Sequence, residues 1–321
     1  MIRRALVIFS LAVALAMPAG AADFPDHPIK LVVPTAPGGV NDIVARLIQP
    51  GLAAALKQPI VIENKSGANN IIGTNFVAKS PPDGYTLVVV PASHSVNPAV
   101  QAKMPFDTEK DLTPIILVGK NAMMFLVNPE LPVKNLQEFS ALAKANPNKF
   151  AFATPGVASQ AHLVIAQWEI TAGVEATHVP YRGGSPAMLA TIAGDVQFTV
   201  MSSLLAAPQV EAGKLRPLAI GSLQRDRHFP DLPTFSEAGF PGLEAVTWVG
   251  IFGPAGMPPA IVDRLNGDID RIIHEPDVAA NLEKQGIVVD GGRPDVLGRL
   301  VTSEIARWTA VAQKNHIGVE P

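Results

Sequence analysis

The side chains most able to do chemistry in this chain are seven histidines, His27, His94, His162, His178, His228, His274 and His316, and they are scattered at wide spacings. Cysteine is absent, which removes thiol nucleophiles and most soft-metal sites. In "VVVPASHSVN", Ser93, His94 and Ser95 stand beyond the end of a β-branched run, where open α/β sheets place ligands, but no nucleophile is identifiable near His94 for it to activate. The motifs G-x-S-x-G, H-E-x-x-H, G-x-x-x-x-G-K-[ST] and a strand-borne G-x-G-x-x-G do not occur. The acidic stretch "DRLNGDIDR" fails the calcium-loop spacing and reads as a helix with Ile261, Leu265, Ile269 and Ile272 turned inward.

What remains is chemistry done by backbone amides. "VVPTAPGGVND", residues 32–42, ends a strand with Pro34, Pro37, Gly38 and Gly39 and starts a helix with Asn41 or Asp42 as its cap. Several N–H groups then point into one small space that suits an anion. "ATPGVASQAH" repeats the device, passing through Pro155 and Gly156 into a helix capped at Ala158 or Ser159, with Thr154 beside it. Tyr181 and Arg182 in "HVPYRGGSPA" either reach a ligand or tie their loop down, and both readings stay open. Arg46, one turn into the first helix, reads as the partner of a carboxylate or carbonyl.

The elements that must position these loops alternate, short β-branched runs with longer helical patterns, as in βαβ units with a parallel sheet. Strands are predicted at "IKLVVP", "PIVIENK", "TLVVVP", "IILVGK" and "MMFLVNP", and helices at 42–56 and 70–80, the first interrupted by Pro50. A second set follows: a helix at 135–146, a strand at 149–153, a helix at 159–171, then "EATHVPYRGGSPAMLATIAGDVQFTVMSS" and "LRPLAIGS". "AVTWVGIFGP" precedes helices at 259–273 and 295–314 that flank the strand "GIVVD". Trp168 and Trp308 read as core residues, whereas Trp248 falls at a crossing between lobes. Two sets of units imply two lobes, with crossings near 125–128 and 246–250 and the C-terminal helices covering the first lobe.

Composition narrows the class. Arg3 and Arg4, the apolar run "ALVIFSLAVALAM" and the small residues "PAGAA" make residues 1–22 an expected signal peptide, cleaved near Ala22, and the run is too short to span a bilayer. The expected location of the mature protein is outside the cytoplasm, and without cysteine the fold must rest on its core. The formal net charge is −3 with no basic run, which argues against nucleic acid and anionic lipid as partners.

Several ordered segments, "VVPTAPGGVNDIVAR", "VIENKSGANNIIGTNFVAKSPPDGYTL", "HVPYRGGSPA", "GKLRPLAI", "LPTFSEAGFPG" and "GPAGMP", resemble the periplasmic solute-binding proteins of tripartite tricarboxylate transport systems, the Bug or TctC family. The resemblance covers residues 24–321. It implies an α/β, bilobal periplasmic-binding-protein (Venus-flytrap) fold with two lobes joined by crossing strands: lobe I from residues 23–126 and 249–321, lobe II from 127–248. By position it gives Thr35 through Asp42 and Thr154 through Ser159 as ligand loops; Thr35, Val40 and Ala158 stand where the family frequently has phenylalanine, glycine and glycine. The expected ligand-binding set is Thr35, Pro37, Gly38, Gly39, Val40, Asn41, Ser93, His94, Thr154, Gly156, Ala158, Ser159, Tyr181 and Ser202. Its ligand is a small organic mono- or dicarboxylate, with an aromatic acid included, delivered by a monomer to a membrane permease, with no cofactor, metal or catalysis. The alternative is a secreted enzyme acting on a small carboxylated substrate on the same scaffold.

Overall fold

The computed structural model describes residues 24–318, so the expected signal peptide at 1–22 lies outside the described residues. In chain order the elements are β1 (Ile29–Val33), α1 (Val40–Leu56), β2 (Ile60–Asn64), α2 (Ile71–Ala78), β3 (Thr86–Pro91), α3 (Ser93–Val100) and β4 (Leu112–Val127). There follow α4 (Leu136–Ala145), β5 (Ala151–Thr154), α5 (Gln160–Ala172), β6 (Thr177–Pro180), α6 (Gly184–Ala193), β7 (Phe198–Ser202), α7 (Ser203–Glu211) and β8 (Arg216–Ile220). The chain closes with β9 (Val246–Pro254), α8 (Pro259–Ile273), α9 (Pro276–Lys284), β10 (Val288–Val289) and α10 (Pro294–Lys314). None of the described helices is long and apolar enough to cross a membrane.

Strand order is β2-β1-β3-β9-β4-β7-β5-β6, with β8 and β10 also pairing with β4. The two runs expected at 115–120 and 123–129 are one strand, because Asn121 and Ala122 between them carry no turn signal and keep pairing, with Thr247 and Val246. This strand serves two sheets in succession: Leu112 to Ala122 pair with β9, and Met123 to Val127 pair with β7. The change of partner falls just before the crossing expected at 125–128, and β9 begins at its own expected crossing.

Strand direction aims the loops. β1, β2 and β3 are parallel to one another, and β3 and β4 are each antiparallel to β9, so the first group runs with β4. β7 is antiparallel to β4 and parallel to β5, which is parallel to β6, so the second group runs against it. The carboxyl ends of both groups therefore converge on the middle of β4. Pro91 at the end of β3 lies level, through Val249, with Gly119, and Ser202 at the end of β7 pairs with Met123. Four residues of strand separate the two levels, about 13 Å.

Each half buries its sheet on both faces, as parallel strands require. In the first half Leu31 and Val33 pack with Val44, Ile48 and Leu52 of α1 and Leu265, Ile269 and Ile272 of α8, while Val32 and Val88 on the other face meet Trp248, Phe252 and Leu297. The second half centres on Phe125, Phe139, Phe152, Trp168 and Phe198, with Met124, Leu126 and Met188 on the opposite face. α10 does not cover the first half alone. Leu297 and Val301 join the first core, and Trp308, Val311 and Ala312 join the second, a reach that its 21 residues, about 31 Å, permit.

Candidate functional site

The first loop departs from its expected capping. α1 begins at Val40 with Gly39 as a cap that has no side-chain bond, so neither Asn41 nor Asp42 caps it. Asn41 turns inward and donates through Nδ2 to the Val89 carbonyl (3.1 Å), tying the helix start to β3. Asp42, buried in the first turn, accepts from the Gly38 amide (2.9 Å), Arg46 Nε (2.9 Å) and Asn64 Nδ2 (3.0 Å). The Arg46 guanidinium is the main cause that holds the Asp42 carboxyl down to about 2. Arg46 is thus the carboxylate partner expected of it, and Asp42 shapes the turn rather than capping it.

These bonds settle which amides remain open. Gly38 N–H is taken by Asp42 and Gly39 N–H by the Ala36 carbonyl (3.3 Å). The amides of Val40, Asn41 and Asp42, the first turn of α1, have no acceptor among the described residues. Thr35 Oγ1 beside them is buried and also has no partner among the described residues. Gly38, at φ +81°, is where the turn requires glycine, and Gly39, at φ −73°, adopts a conformation open to any residue. Pro37 is exposed and shapes the loop without facing a polar partner.

The second loop follows its expectation more closely. Ser159 caps α5, its hydroxyl accepting the His162 amide (3.3 Å), and Ala158 precedes it at φ +58°. Thr154, wholly buried, donates from Oγ1 to the Gly156 carbonyl (2.9 Å), and the same Oγ1 lies 2.6 Å from His178 Nε2, which must then be the donor of that pair. The amides of Val157, Gln160 and Ala161 have no acceptor among the described residues. Gln160 Nε2 donates to the Val246 carbonyl (2.6 Å) and so holds this helix start at the first residue of β9.

Other expected residues divide. Tyr181 binds its own half, its amide donating to the Thr154 carbonyl (2.9 Å) and its ring half-buried against the second core, while Arg182 is exposed. Ser202 precedes α7 at the end of β7, with no cap bond from its side chain. Ser93, beyond the end of β3 as expected, starts the short helix α3, and its hydroxyl accepts from Asn70 Nδ2 (2.7 Å). His94, the second residue of α3, turns into the core. Its ring is buried against Phe106 and Phe252, and burial pushes it down to about 3, so it is neutral and its Nε2 has no partner among the described residues. A general-base role for His94 is accordingly dropped.

Sequence reasoning missed the asparagines that brace the first-half edge. Ala68, Asn69 and Asn70 are successive left-handed residues at φ +45°, +50° and +75°. Asn69 Nδ2 donates to Asn97 Oδ1 (2.6 Å) and Asn97 Nδ2 returns to the Asn69 carbonyl (2.9 Å), which fixes the β2–α2 turn against α3. The signal was present in "SGANN", since asparagine tolerates this conformation better than other side chains.

Two helix starts with open amides, carried on the facing carboxyl edges of two half-sheets that share crossing strands, define a bilobal periplasmic-binding-protein fold. The profile described as tripartite tricarboxylate transporter family receptor matches residues 44–317, and the chain belongs to that family. Protein BugT of Bordetella pertussis is 33% identical over 309 residues, covering 96% of this chain and 95% of BugT. Among solved structures, an R. palustris protein with adipate has a TM-score of 0.76 at 33% identity, covering 92% of this chain and 99% of that one. MatC from Rhodopseudomonas palustris, with bound malate, has a TM-score of 0.73 at 34% identity, covering 90% and 99%.

Proposed function

We propose that this chain is an extracytoplasmic solute-binding protein that captures a small organic carboxylate between its two helix starts and delivers it to a tripartite tricarboxylate-type permease. The observation that carries the reading is the pairing of open amides at Val40–Asp42 with those at Val157–Ala161, on edges that face each other across β4. Helix N-termini offset the desolvation of a carboxylate, and each charge-assisted hydrogen bond contributes about 1.5–3 kcal/mol. A few such bonds reach the roughly −8 kcal/mol of a micromolar site. Family members solved with adipate and malate support a mono- or dicarboxylate as the ligand class.

Residues 23–126 and 249–321 act as one lobe and 127–248 as the other, in our working division, closing on the ligand and then engaging the permease as a monomer. Retention rather than turnover is the function in this reading, in keeping with the receptor family to which the chain belongs. Periplasmic export of the mature chain fits both the family and the leader expected at residues 1–22.

Native mass spectrometry of freshly purified protein, followed by calorimetry with the co-purified acid, tests this. A small carboxylic acid, retained unchanged and bound one to one, is expected. Turnover of that acid, or a co-purified ligand without a carboxylate, overturns the reading.

A further inference from the structure

We propose that His162 and His178 are positioning residues for the ligand, a stacked pair of neutral imidazoles that moulds the 154–159 turn and releases it when His162 is protonated at Nδ1. The proposal rests on the carboxylate reading of that turn. The two rings lie 3.8 Å apart between centroids, brought together although 16 positions separate them in sequence, because β6 pairs with β5 and sets His178 opposite Phe152. Phe152 packs beside both rings, 4.9 Å from His178 and 6.1 Å from His162 between centroids, so the pair has an apolar neighbour.

Each ring holds a different side of the turn. His162 Nδ1 accepts the Ala158 amide (3.2 Å), so its proton resides on Nε2. His178 Nε2 donates to Thr154 Oγ1, whose own proton goes to the Gly156 carbonyl. The Ala158 bond fixes a left-handed residue that is not glycine, in the loop that leads to the open amides of Gln160 and Ala161. A proton added to His162 Nδ1 would face the Ala158 N–H, and that bond must break. Protonation of His178 at Nδ1 leaves its Nε2 donation intact, so His162 is the sensitive member.

The surroundings keep the pair neutral. Burial, with His178 as the titratable neighbour, pushes His162 down to about 4, and burial does the same to His178. The groups packed against His162 from other elements are Phe152 of β5 and His178 of β6, and its own helix start, where a cation is unfavourable, presents Ala158 and Ser159. A neutral state favoured by the ordered turn means that acidification favours the released turn, over the window between the ordinary histidine value near 6.5 and about 4.

Two variants separate positioning from bulk structure. His162→Asn keeps an acceptor where Nδ1 stands and does not titrate, and His162→Leu removes the acceptor. In nitrogen-15 NMR of the whole protein, His162 is expected to carry its proton on Nε2 at neutral pH. The Ala158 amide resonance should follow the titration of His162 as the pH is lowered, and in His162→Asn it should stay still. A proton on Nδ1 at neutral pH, or an Ala158 amide indifferent to the titration, overturns the proposal whether or not His162→Leu folds. Adipate and malate serve as probes by calorimetry at pH 7.5 and 4.5, where the parent is expected to lose about fivefold or more affinity beyond the loss seen in His162→Asn. Equal losses overturn the coupling to binding. If the parent binds neither acid at pH 7.5, that outcome counts against these acids as ligands, and the NMR result alone decides the role of the imidazoles.

Discussion

Asp42 shows how a residue can be legible in type and misread in role. An aspartate after Pro-Gly-Gly at a helix start satisfies the sequence rule for a cap, yet here the carboxylate reaches back to Gly38 and across to Asn64 and Arg46. The difference lies in Asn64, at the end of a strand 22 residues away, whose amide also donates to the Thr35 carbonyl (3.1 Å) and which no local pattern can supply. Asp42→Ala is therefore expected to destabilise the protein by about 2 kcal/mol in urea unfolding, through loss of charged hydrogen bonds rather than of a cap. The pH dependence has a definite sign. Asp42 sits at about 2 in the folded chain against the ordinary aspartate value of 3.8, so its contribution is complete above 3.8 and fades as the pH falls through 2. The stability of Asp42→Ala should lack that acid step, measured by unfolding between pH 5 and pH 2. A variant with unchanged stability and an unchanged acid step would remove Asp42 from the turn.

Whole elements were legible where their period was long and their flanks were punctuated. α1, α4, α5 and α8 follow from apolar spacing and turn residues, and the supposed calcium stretch is the body of α8, with Ile261, Leu265, Ile269 and Ile272 buried. α3 and α7 were hidden because each is short and holds an internal proline, Pro98 and Pro208, which ordinarily argues against a helix. α10 carries a feature no periodicity reveals. Glu304, 4% exposed, accepts from Ser95 Oγ of α3 (2.5 Å) and Trp248 Nε1 of β9 (2.7 Å). One turn on, Arg307 donates to Gln167 Oε1 of α5 (2.9 Å) and lies over the Trp308 ring at 4.0 Å. This single stretch of helix ties the first half, a crossing strand and the second half together. Glu304→Ala, which strands the Trp248 indole N–H and leaves the Ser95 hydroxyl only the Ala92 carbonyl (2.8 Å), is expected to cost about 2–4 kcal/mol and to change Trp248 fluorescence. Parent-like unfolding and emission in that variant would show that the buried carboxylate does not brace the junction.

At the scale of the molecule, two sets of βα units announced two halves, because each set has its own apolar strands and helices. The sharing of β4 was not legible, since a strand that changes partners in mid-course looks like two strands when read locally. That sharing is what turns two ordinary helix starts into one site. The strand groups that carry the two loops end level with Gly119 and Met123 of β4, and in the proposed reading a small anion meets both loops as the halves close on it. The roles proposed for Thr35, Val40, Asn41, Thr154, Gly156 and Ser159 depend on strand-to-helix geometry, which local sequence carries. The packing of the His94 ring and the bonds made by Asn64 depend on contacts between distant segments, which local sequence does not carry.

The amides themselves are the most direct test. Val40 and Gln160 are the first residues of α1 and α5, and each follows an extended residue, Gly39 at φ −73° and ψ 164° or Ser159 at φ −69° and ψ 159°, the conformation that proline demands of its predecessor. Proline at this first position suits a helix and removes only an N–H that the helix does not use. Calorimetry with the co-purified acid on Val40→Pro, Gln160→Pro and the double variant, with Gln160→Ala as the control for the bond to Val246, reads each amide in turn. Each proline is expected to weaken binding by about tenfold or more at near-parent stability, and the double variant to lose less than the product of the two, because either change alone already loosens a jointly held ligand. Parent-like affinity in both folded proline variants would contradict a carboxylate held by the two helix starts.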